Sequence, residues 1–360
     1  MINISLVSKG NFPHLQQLYS GLNILYDKKV CNLYIRLANS DSTFDAALKF
    51  VEYGKPICFL QIDGVKVAVD TLDGYNFNDA VSFEENLTIM DKIADEVDLY
   101  FKRSNNQKLN GLLRNNVKVK PYGFNYQVND DNRYIQRKLS SNSLKNKLLN
   151  VCPSPYMLGR RMKVEQFEQY PKFSSKDDCQ ILFMTRLWDN NAPCREDIRK
   201  QRETINKGRI EALIALKQEF GSHFFGGIFP NNMSEAYPDL VLSRFDTQKY
   251  NYIKRLMRSD ICIATTGLHD SIGWKMAEYV AASKCIVSEP LHYTVTGDSA
   301  ENVNYLKYTD TETLINQVHK LMSDHNLRYE MQVRNYRYYN EFLRPDSLVL
   351  NLIAKVKTEI

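Results

Sequence analysis

The chain has 360 residues, of which 43% are apolar and 25% are charged, and its formal net charge is +5 at pH 7. This length suits two domains, and the composition is that of a globular protein, which excludes the disordered and fibrous classes. No apolar run approaches the roughly 20 residues of a membrane-spanning helix, and the first residues lack the order of a signal peptide. The dispersed cysteines, without CxxC pairs, favour buried thiols in a reducing cytoplasm over disulfides or metal fingers.

Short apolar runs alternate with longer helical patterns along the chain, which predicts α/β units with parallel sheets. The predicted strands of the first half are INISLVS, CNLYIRLA, PICFLQID, VKVAVDT, VDLYFKR and VKVKPYG. In open parallel sheets, ligands bind at the carboxyl ends of the strands. Asp70 follows the strand VKVAVDT at such an edge, and Asp73 is explained by the turn signal LDG.

A basic segment follows the first half. Residues 133–163 contain many Lys and Arg and no Asp or Glu, and apolar residues recur among them with partial helical spacing. Such a segment suits an anionic membrane surface or an anionic substrate, and a solvated connector is an equal alternative. Nucleic acid is not expected as a partner, because no recognisable motif accompanies the charge. Residues 152–178 have no clear period and are the best candidate for an interdomain linker.

The second half continues the alternation. Its predicted strands are QILFMTRL, HFFGGI, DICIAT, KCIVSE and NVNYLKY, and its predicted helices lie near 203–220, 247–258, 272–283 and 311–323. The stretch TTGLHDSIGWKMAEYVAAS places Asp270 and Glu278 with seven residues between them. Because Ser271 is a preferred N-cap residue, we expect Asp270 in the loop before a helix and Glu278 two turns inside it.

The common nucleotide motifs are absent: there is no GxGxxG after a strand and no GxxxxGK[ST]. This argues against nicotinamide dehydrogenases and P-loop ATPases. An anion could still bind where the free backbone N–H groups of a helix begin. The segment DSIGWK is such a place, since Gly273 lets the backbone approach a ligand closely.

The second half resembles the C-terminal domain of family-four retaining glycosyltransferases, whose GT-B fold has two Rossmann-like domains facing across a cleft. The family motif resembles E-G-F-G-L-V-x-L-E-A-M-A-C-G-x-P-V-V, and this chain has D-S-I-G-W-K-M-A-E-Y-V-A-A-S-K-C-I-V in register. Asp replaces the first Glu, and Ser271 replaces the first Gly. A strand ending FMTRL supplies Arg186, and NKGRIEALIALKQEFG supplies the second base, for which Lys207 and Arg209 both remain candidates.

The resemblance, which covers about residues 180–345, implies a role for each of these residues. Arg186 and Lys207 would clamp the donor diphosphate, with the backbone around Ser271, Ile272, Gly273 and Trp274. Asp270 would accept hydrogen bonds from the donor sugar, and Glu278 would hold the ribose hydroxyls; a surface acid or turn chemistry is the alternative. His14, after the first strand, and Asp70 are candidate acceptor-side residues, and a plain loop histidine is an equal interpretation.

These arguments predict an α/β protein with two Rossmann-like domains of the GT-B type. Residues 1–170 would form an acceptor-side domain, residues 171–340 a nucleotide-sugar-binding domain, and residues 341–360 a segment crossing back to the first. The expected activity is transfer of a hexosyl group from a nucleoside-diphosphate sugar to a glycan or lipid-linked acceptor, with retention, in surface polysaccharide biosynthesis. No cofactor or metal is expected. The protein would be cytoplasmic, or peripheral at the inner membrane face. A sugar-nucleotide epimerase or hydrolase and a non-catalytic binding protein are the alternatives.

Overall fold

The computed structural model of the chain describes residues 1–38, 55–140 and 161–359. They form two compact units: Met1–Val164 with Tyr293–Thr296 and Asn340–Ile360, and Glu165–His292 with Gly297–Tyr339. Each unit is built on one sheet with flanking helices, so the prediction of two Rossmann-like α/β domains is confirmed. The roles assigned to the two predicted domains stay predictions.

The first unit is built on a sheet in the order β2-β1-β3-β4-β5-β6. Its strands are β1 (Ile2–Ser8), β2 (Cys31–Leu37), β3 (Ile57–Ile62), β4 (Val65–Asp70), β5 (Leu99–Lys102) and β6 (Val119–Pro121). Its helices are α1 (Gln16–Asp27), α2 (Phe83–Asp95), α3 (Gln107–Asn110), α4 (Tyr134–Leu139) and, at the end of the chain, α10 (Pro345–Glu359).

This first sheet is mixed, so the expectation of a purely parallel sheet is wrong here. Strand β3 runs antiparallel to both β1 and β4. The cause is a two-residue hairpin: Asp63 and Gly64 connect β3 to β4 with φ values of 48° and 99°. Asp-Gly is the sequence that favours this tight turn, because both positions need a positive φ.

Side chains of the first sheet alternate between two cores, as the period of a strand requires. Cys58 and Leu60 of β3 pack with α1 and α10 on one face. Ile57 and Phe59 pack on the other face with the apolar side of α2. Helices therefore cover both faces of this sheet, and polar side chains are expected at the ends of its strands.

The second unit is built on a fully parallel sheet in the order β11-β10-β9-β7-β8, as predicted. Its strands are β7 (Ile181–Thr185), β8 (Phe224–Ile228), β9 (Ile261–Ala264), β10 (Cys285–Ser288) and β11 (Leu306–Lys307). Its helices are α5 (Glu196–Phe220), α6 (Lys249–Arg258), α7 (Trp274–Ala281), α8 (Thr311–Ser323) and α9 (His325–Tyr338). Strand β7 lies between β8 and β9, so the connection that leaves β7 for β8 and the one that leaves β9 for β10 run in opposite directions.

The basic segment is only partly described, because residues 141–160 lie outside the described residues. Its first part forms α4, where Ile135 and Leu139 are buried in the core of the first unit. Arg137 and Lys138 are exposed on the opposite side. The apolar side of this helix is therefore already covered by the protein, and only its charged side faces solvent.

The helices of the described ranges lack the combination of length and apolar character that crossing a bilayer requires. Within the same ranges, the cysteines at positions 31, 58, 179, 262 and 285 are free and buried, as their dispersal in the sequence predicts. Burial raises the pKa of the Cys31 thiol to about 11 and that of Cys262 to about 12. These thiols are core residues.

Two glycines give a matched test of the packing. A Cβ on Gly21 of α1 would lie 2.1 Å from the Pro345 carbonyl oxygen at the start of α10, whereas a Cβ on Gly208 of α5 meets nothing within 4 Å. We expect Gly21→Ala to lower the free energy of unfolding by about 1–3 kcal/mol, because backbone must move to admit the methyl group. Gly208→Ala should raise it by roughly 0.5–1 kcal/mol, because alanine favours helix.

Urea unfolding of both variants checks this prediction. Equal stability of Gly21→Ala and the wild type would show that α1 and α10 do not pack at this distance.

Candidate functional site

The candidate site lies at the carboxyl ends of β7 and β8 in the second unit. Ligands of open α/β sheets bind outside the carboxyl ends of the strands, near the point where neighbouring strands send their connections to opposite sides, and here that point lies between β7 and β9. Arg186 directly follows β7, and Phe229, Pro230 and Asn231 directly follow β8. The fold thus brings a cation and an aromatic ring together at the edge where a ligand is expected.

A pocket of about 370 Å³ opens at this edge, within the size range of small-molecule sites. Its lining residues are Arg186, Phe229, Pro230, Asn231, Arg244 and Thr247. The guanidinium carbon of Arg186 lies 5.1 Å from the centre of the Phe229 ring. Arg186 and Arg244 are both exposed, so their guanidinium N–H donors are available to an anion. A guanidinium group can donate two parallel hydrogen bonds to two oxygens of one phosphate.

Arg209 of α5 fixes the backbone beneath this pocket. Its guanidinium donates to the Arg186 carbonyl oxygen at 2.7 Å, to the Thr266 carbonyl oxygen at 3.0 Å and to Thr265 Oγ1 at 3.2 Å. Burial lowers the pKa of Arg209 to about 10, and nearby Glu289 opposes that shift. Arg209 therefore holds the loops that follow β7 and β9, and it is the candidate second base that lies beside Arg186.

Lys207 lies in a different place. It is exposed in the middle of α5, 3.9 Å from Glu211 one turn along, and it lines a second pocket of about 290 Å³. Both candidate bases lie inside α5, which begins at Glu196, earlier than the predicted helix near 203–220. Residues two apart on a helix lie on roughly opposite faces, so Lys207 is exposed while Arg209 is buried towards the sheet. The described pocket at Arg186 does not include Lys207.

Glu278 of α7 is buried, with 2% of its surface exposed. Its Oε1 accepts a short hydrogen bond from Lys249 Nζ, and its Oε2 accepts one from Tyr252 Oη at 2.6 Å. Both partners come from α6, so the carboxylate joins two helices. Each oxygen therefore already has one partner inside the protein, and the expected role of this acid in holding a ribose stays a prediction.

Lys275, three residues before Glu278, is a site residue that the sequence did not single out. Its Nζ donates a short hydrogen bond to the Met184 carbonyl oxygen and lies 5.1 Å from the centres of the Phe229 and Tyr252 rings. The position could have been noticed, because lysine stands there where the motif has valine. Arg244 and Phe229 carried no sequence signal, because both lie in connections between strands and helices.

The segment before α7 is a compact loop. Gly267 N–H donates to the Ser271 carbonyl oxygen at 2.8 Å, and Ser271 N–H donates to the Leu268 carbonyl oxygen at 3.1 Å. Ser271 and Ile272 are buried. Gly273, not Ser271, occupies the N-cap of α7, and Trp274 is the first helical residue. Ser271 is therefore not the cap expected from the sequence, and Glu278 lies little more than one turn inside the helix.

Asp270 is exposed in this loop, so Asp270 and Glu278 lie in opposite environments. Both His269 and Asp270 have left-handed backbone, with φ values of 57° and 56°. Two adjacent residues with Cβ atoms in this conformation are costly, and such strain is concentrated at functional sites. The backbone here is held by His269 N–H, which donates to Gln201 Oε1 at 3.0 Å.

The acceptor-side candidates lie in the first unit. Asp70 is fully buried: its carboxylate lies 3.1 Å from Lys102 Nζ and accepts from Tyr100 Oη at 2.7 Å. Asp70 is therefore enclosed and paired inside the unit, and its acceptor-side role stays a prediction. His14 is half-buried near the pair of Arg103 and Asp73. Burial and the charge of Arg103 lower the pKa of His14 to about 4, which keeps it neutral at pH 7.

No group of three or more His, Cys, Asp or Glu side chains within residues 1–38, 55–140 and 161–359 is placed to hold a metal ion. No protein-family model matches the chain, and no curated protein matches it.

Solved structures are similar to the chain at low identity. The HepE protein of Anabaena in complex with UDP-glucose is 11% identical, with 100% of each chain covered and a TM-score of 0.48. The C-terminal domain of a glycosyl transferase group 1 family protein from Francisella tularensis is 14% identical, covering 49% of this chain and 95% of its own, with a TM-score of 0.32. A putative UDP-N-acetylglucosamine 2-epimerase from Listeria monocytogenes is 9% identical over 98% of this chain and 95% of its own, with a TM-score of 0.41.

The environment of Glu278 predicts an effect on stability. In Glu278→Gln, the carboxylate that neutralises the cations of α6 and α7 is lost while its neighbours stay in place. We expect the free energy of unfolding to fall by about 1–3 kcal/mol, the cost of a buried polar group without its partner. Thermal and urea unfolding measure this.

The matched control is Glu211→Gln, on the exposed face of α5, where the acid lies 3.9 Å from Lys207. A surface pair of this kind contributes little, so a change within about 0.5 kcal/mol is expected. Equal effects of the two substitutions would mean that Glu278 does not hold α6 and α7 together.

Proposed function

We propose that the protein is a glycosyltransferase of the GT-B type that takes a sugar from a nucleoside-diphosphate donor. The observation that carries the proposal is the pocket at the carboxyl ends of β7 and β8, in which Arg186 and Arg244 face one space. It lies in the unit that contains the motif of Asp270 and Glu278. Negative charge grows on a diphosphate as its bond to the sugar breaks, and fixed cations stabilise that charge.

The proposed roles follow the geometry. Arg186 and Arg244 bind the diphosphate, and Arg209 positions Arg186 by holding its carbonyl oxygen. Asp270, exposed in the strained loop, accepts hydrogen bonds from hydroxyls of the donor sugar, and the backbone at Gly273 and Trp274 supplies further donors. In contrast to the assignment made by resemblance, Glu278 is proposed to hold Lys249 in place and not to bind a ribose.

The finer points of the proposal concern stereochemistry, metal and acceptor. Retention is proposed from the resemblance of the motif, with attack on the same face as the departing phosphate. No metal is needed in this mechanism, because arginine side chains neutralise the diphosphate. The acceptor is proposed to be a glycan or a lipid-linked saccharide of surface polysaccharide biosynthesis, and no residue of the first unit is yet assigned to it.

Donor binding tests this function. A panel of nucleoside-diphosphate sugars is screened by thermal unfolding in the presence of EDTA. A donor at 100 times its Kd should add about 2.7 kcal/mol to the free energy of unfolding. Turnover with the best binder should then fall in Arg186→Ala, whose barrier rises by about 2–4 kcal/mol because the leaving group loses a cation. Proton NMR of the product reports whether the anomeric configuration is retained.

Arg199→Ala is the matched control, because Arg199 is an exposed arginine of α5 whose side chain pairs with Glu196. Its kinetics should equal those of the wild type. Stabilisation by no donor, or stabilisation that EDTA abolishes, would refute the proposed donor site. Release of free sugar or of an epimerised nucleotide sugar without any acceptor would favour the epimerase or hydrolase alternative.

Peripheral membrane attachment through residues 133–163 remains part of the proposal. Each Lys or Arg near an anionic surface contributes about 1 kcal/mol, and salt screens this attraction. We expect the protein to sediment with phosphatidylserine vesicles at low salt and to leave them at high salt. Replacing Arg137, Lys138, Lys145 and Lys147 with Gln should abolish sedimentation without changing donor affinity. Equal sedimentation with neutral vesicles would contradict this attachment.

A further inference from the structure

Lys275 lies beside Phe229, one of the residues that line the pocket. The Phe229 ring has two cations near it: Lys275 Nζ and the guanidinium carbon of Arg186 each lie 5.1 Å from its centre. Arg186 and Phe229 both line the pocket. A negative charge in the pocket would therefore attract Lys275, which contacts a lining residue, as well as Arg186, which lines the pocket itself.

The charges around Lys275 do not balance. Glu278 is one turn away on the same helix, Lys249 comes from α6, Arg209 from α5 and Arg186 from the end of β7. Glu278 is the one carboxylate of this group, and its oxygens already accept from Lys249 and Tyr252.

The two other titratable groups in this surrounding do not supply a negative charge. Burial raises the pKa of the Cys262 thiol of β9 to about 12 and holds the pKa of the Tyr252 hydroxyl well above its usual range. Both are neutral at pH 7. The cluster formed by Lys275, Lys249, Arg209, Arg186 and Glu278 consequently has more positive than negative charge.

Among these side chains, the physical consequence falls on Lys275, which is only partly exposed. Burial is the main cause that lowers the pKa of Lys275 to about 7, the neighbouring cations lower it further, and Glu278 opposes them. The amine and the ammonium forms of Lys275 are then both populated near neutral pH, whereas the arginines stay charged. Any anion that enters the pocket favours the ammonium form.

We propose that the pocket at Arg186 and Phe229 binds its anion together with one proton, and that Lys275 is the residue that takes up this proton. Water or buffer supplies the proton, and the neutral amine becomes an ammonium ion whose charge the bound anion compensates. This deepens the proposed function, on which it rests for the identity of the natural anion. Binding of the donor diphosphate would thus convert Lys275 from the amine to the ammonium form.

The sign of the pH dependence follows from linkage. Because the anion prefers the protonated protein, affinity is highest below the pKa of the free protein and falls as pH rises through it. With a free-protein pKa of about 7, affinity should fall about tenfold between pH 6 and pH 8. A site built only from arginines would show no slope over this range.

Two probes test the proposal on the intact chain at constant ionic strength: sulfate and UDP-glucose. Neither changes its own phosphate or sulfate protonation between pH 6 and pH 8, so any slope belongs to the protein. Binding is followed by the fluorescence of Trp188 and Trp274, or by calorimetry. Calorimetry in two buffers with different ionisation enthalpies counts the protons taken up. At pH 7 we expect about half a proton per anion, because about half of the free protein already carries the proton at this pH.

Three variants assign the proton. Lys275→Arg keeps a charge at all pH values and Lys275→Met has none, so both should bind with no slope between pH 6 and pH 8. Lys254→Met, at an exposed lysine of α6 whose Nζ lies 4.4 Å from the centre of the Tyr250 ring, should keep the slope of the wild type. If either Lys275 variant fails to fold, the proton count on the wild-type protein decides.

The outcomes separate the two proposals. If the affinity for sulfate falls from pH 6 to pH 8, the proton uptake is supported even when no nucleotide sugar binds. Failure of every nucleotide sugar to bind would then overturn the proposed function alone. UDP-glucose binding without proton uptake would overturn the role of Lys275 and leave the proposed function standing. If the affinity of Lys275→Arg still falls between pH 6 and pH 8, the proton belongs to another group. If sulfate binds at no pH, the anion pocket itself is overturned.

Discussion

The buried carboxylate of Glu278 compensates the cations where α6 and α7 meet in the second unit. It accepts from Lys249 and Tyr252 of α6 while it belongs to α7, and Lys275 lies one turn away. Removing one partner of a buried charge pair leaves the other uncompensated, which costs more than the pair itself contributes. The packing of the two helices and the charge state behind the pocket therefore depend on the same carboxylate.

Positively charged side chains extend from this interior to the pocket. Arg209 hydrogen-bonds carbonyl oxygens after β7 and β9, so its charge is fixed in place below Arg186. Arg186 and Arg244 remain exposed at the rim. In the proposed function these exposed arginines receive the anion, Arg209 is already held in place, and Lys275 changes its protonation.

Much of the fold could be predicted from the sequence because apolar runs and turn residues are local signals. The predicted helix at 311–323 coincides with α8, and the runs of the second half coincide with β7 to β11. The mixed sheet was missed although Asp63 and Gly64 are a hairpin signal. For the site, Arg186 was placed correctly at the end of a strand, but α5 begins at Glu196, earlier than its periodicity indicated. Arg209 and not Lys207 lies beside Arg186, because Arg209 is on the face of α5 that packs towards the sheet.

The sequence by itself determined the α/β class, the two Rossmann-like units and the position of the motif between a strand and a helix, since each depends on residues close together in the chain. Only the tertiary structure decided which charges meet. Glu278 and Asp70 look alike as candidate ligand-binding acids, yet both are buried with partners far away in sequence, Lys249 and Lys102. Burial and partners distant in sequence decide the charge state of a side chain and its accessibility to a ligand. Neither burial nor such a partner can be read from the residues next to it in the chain.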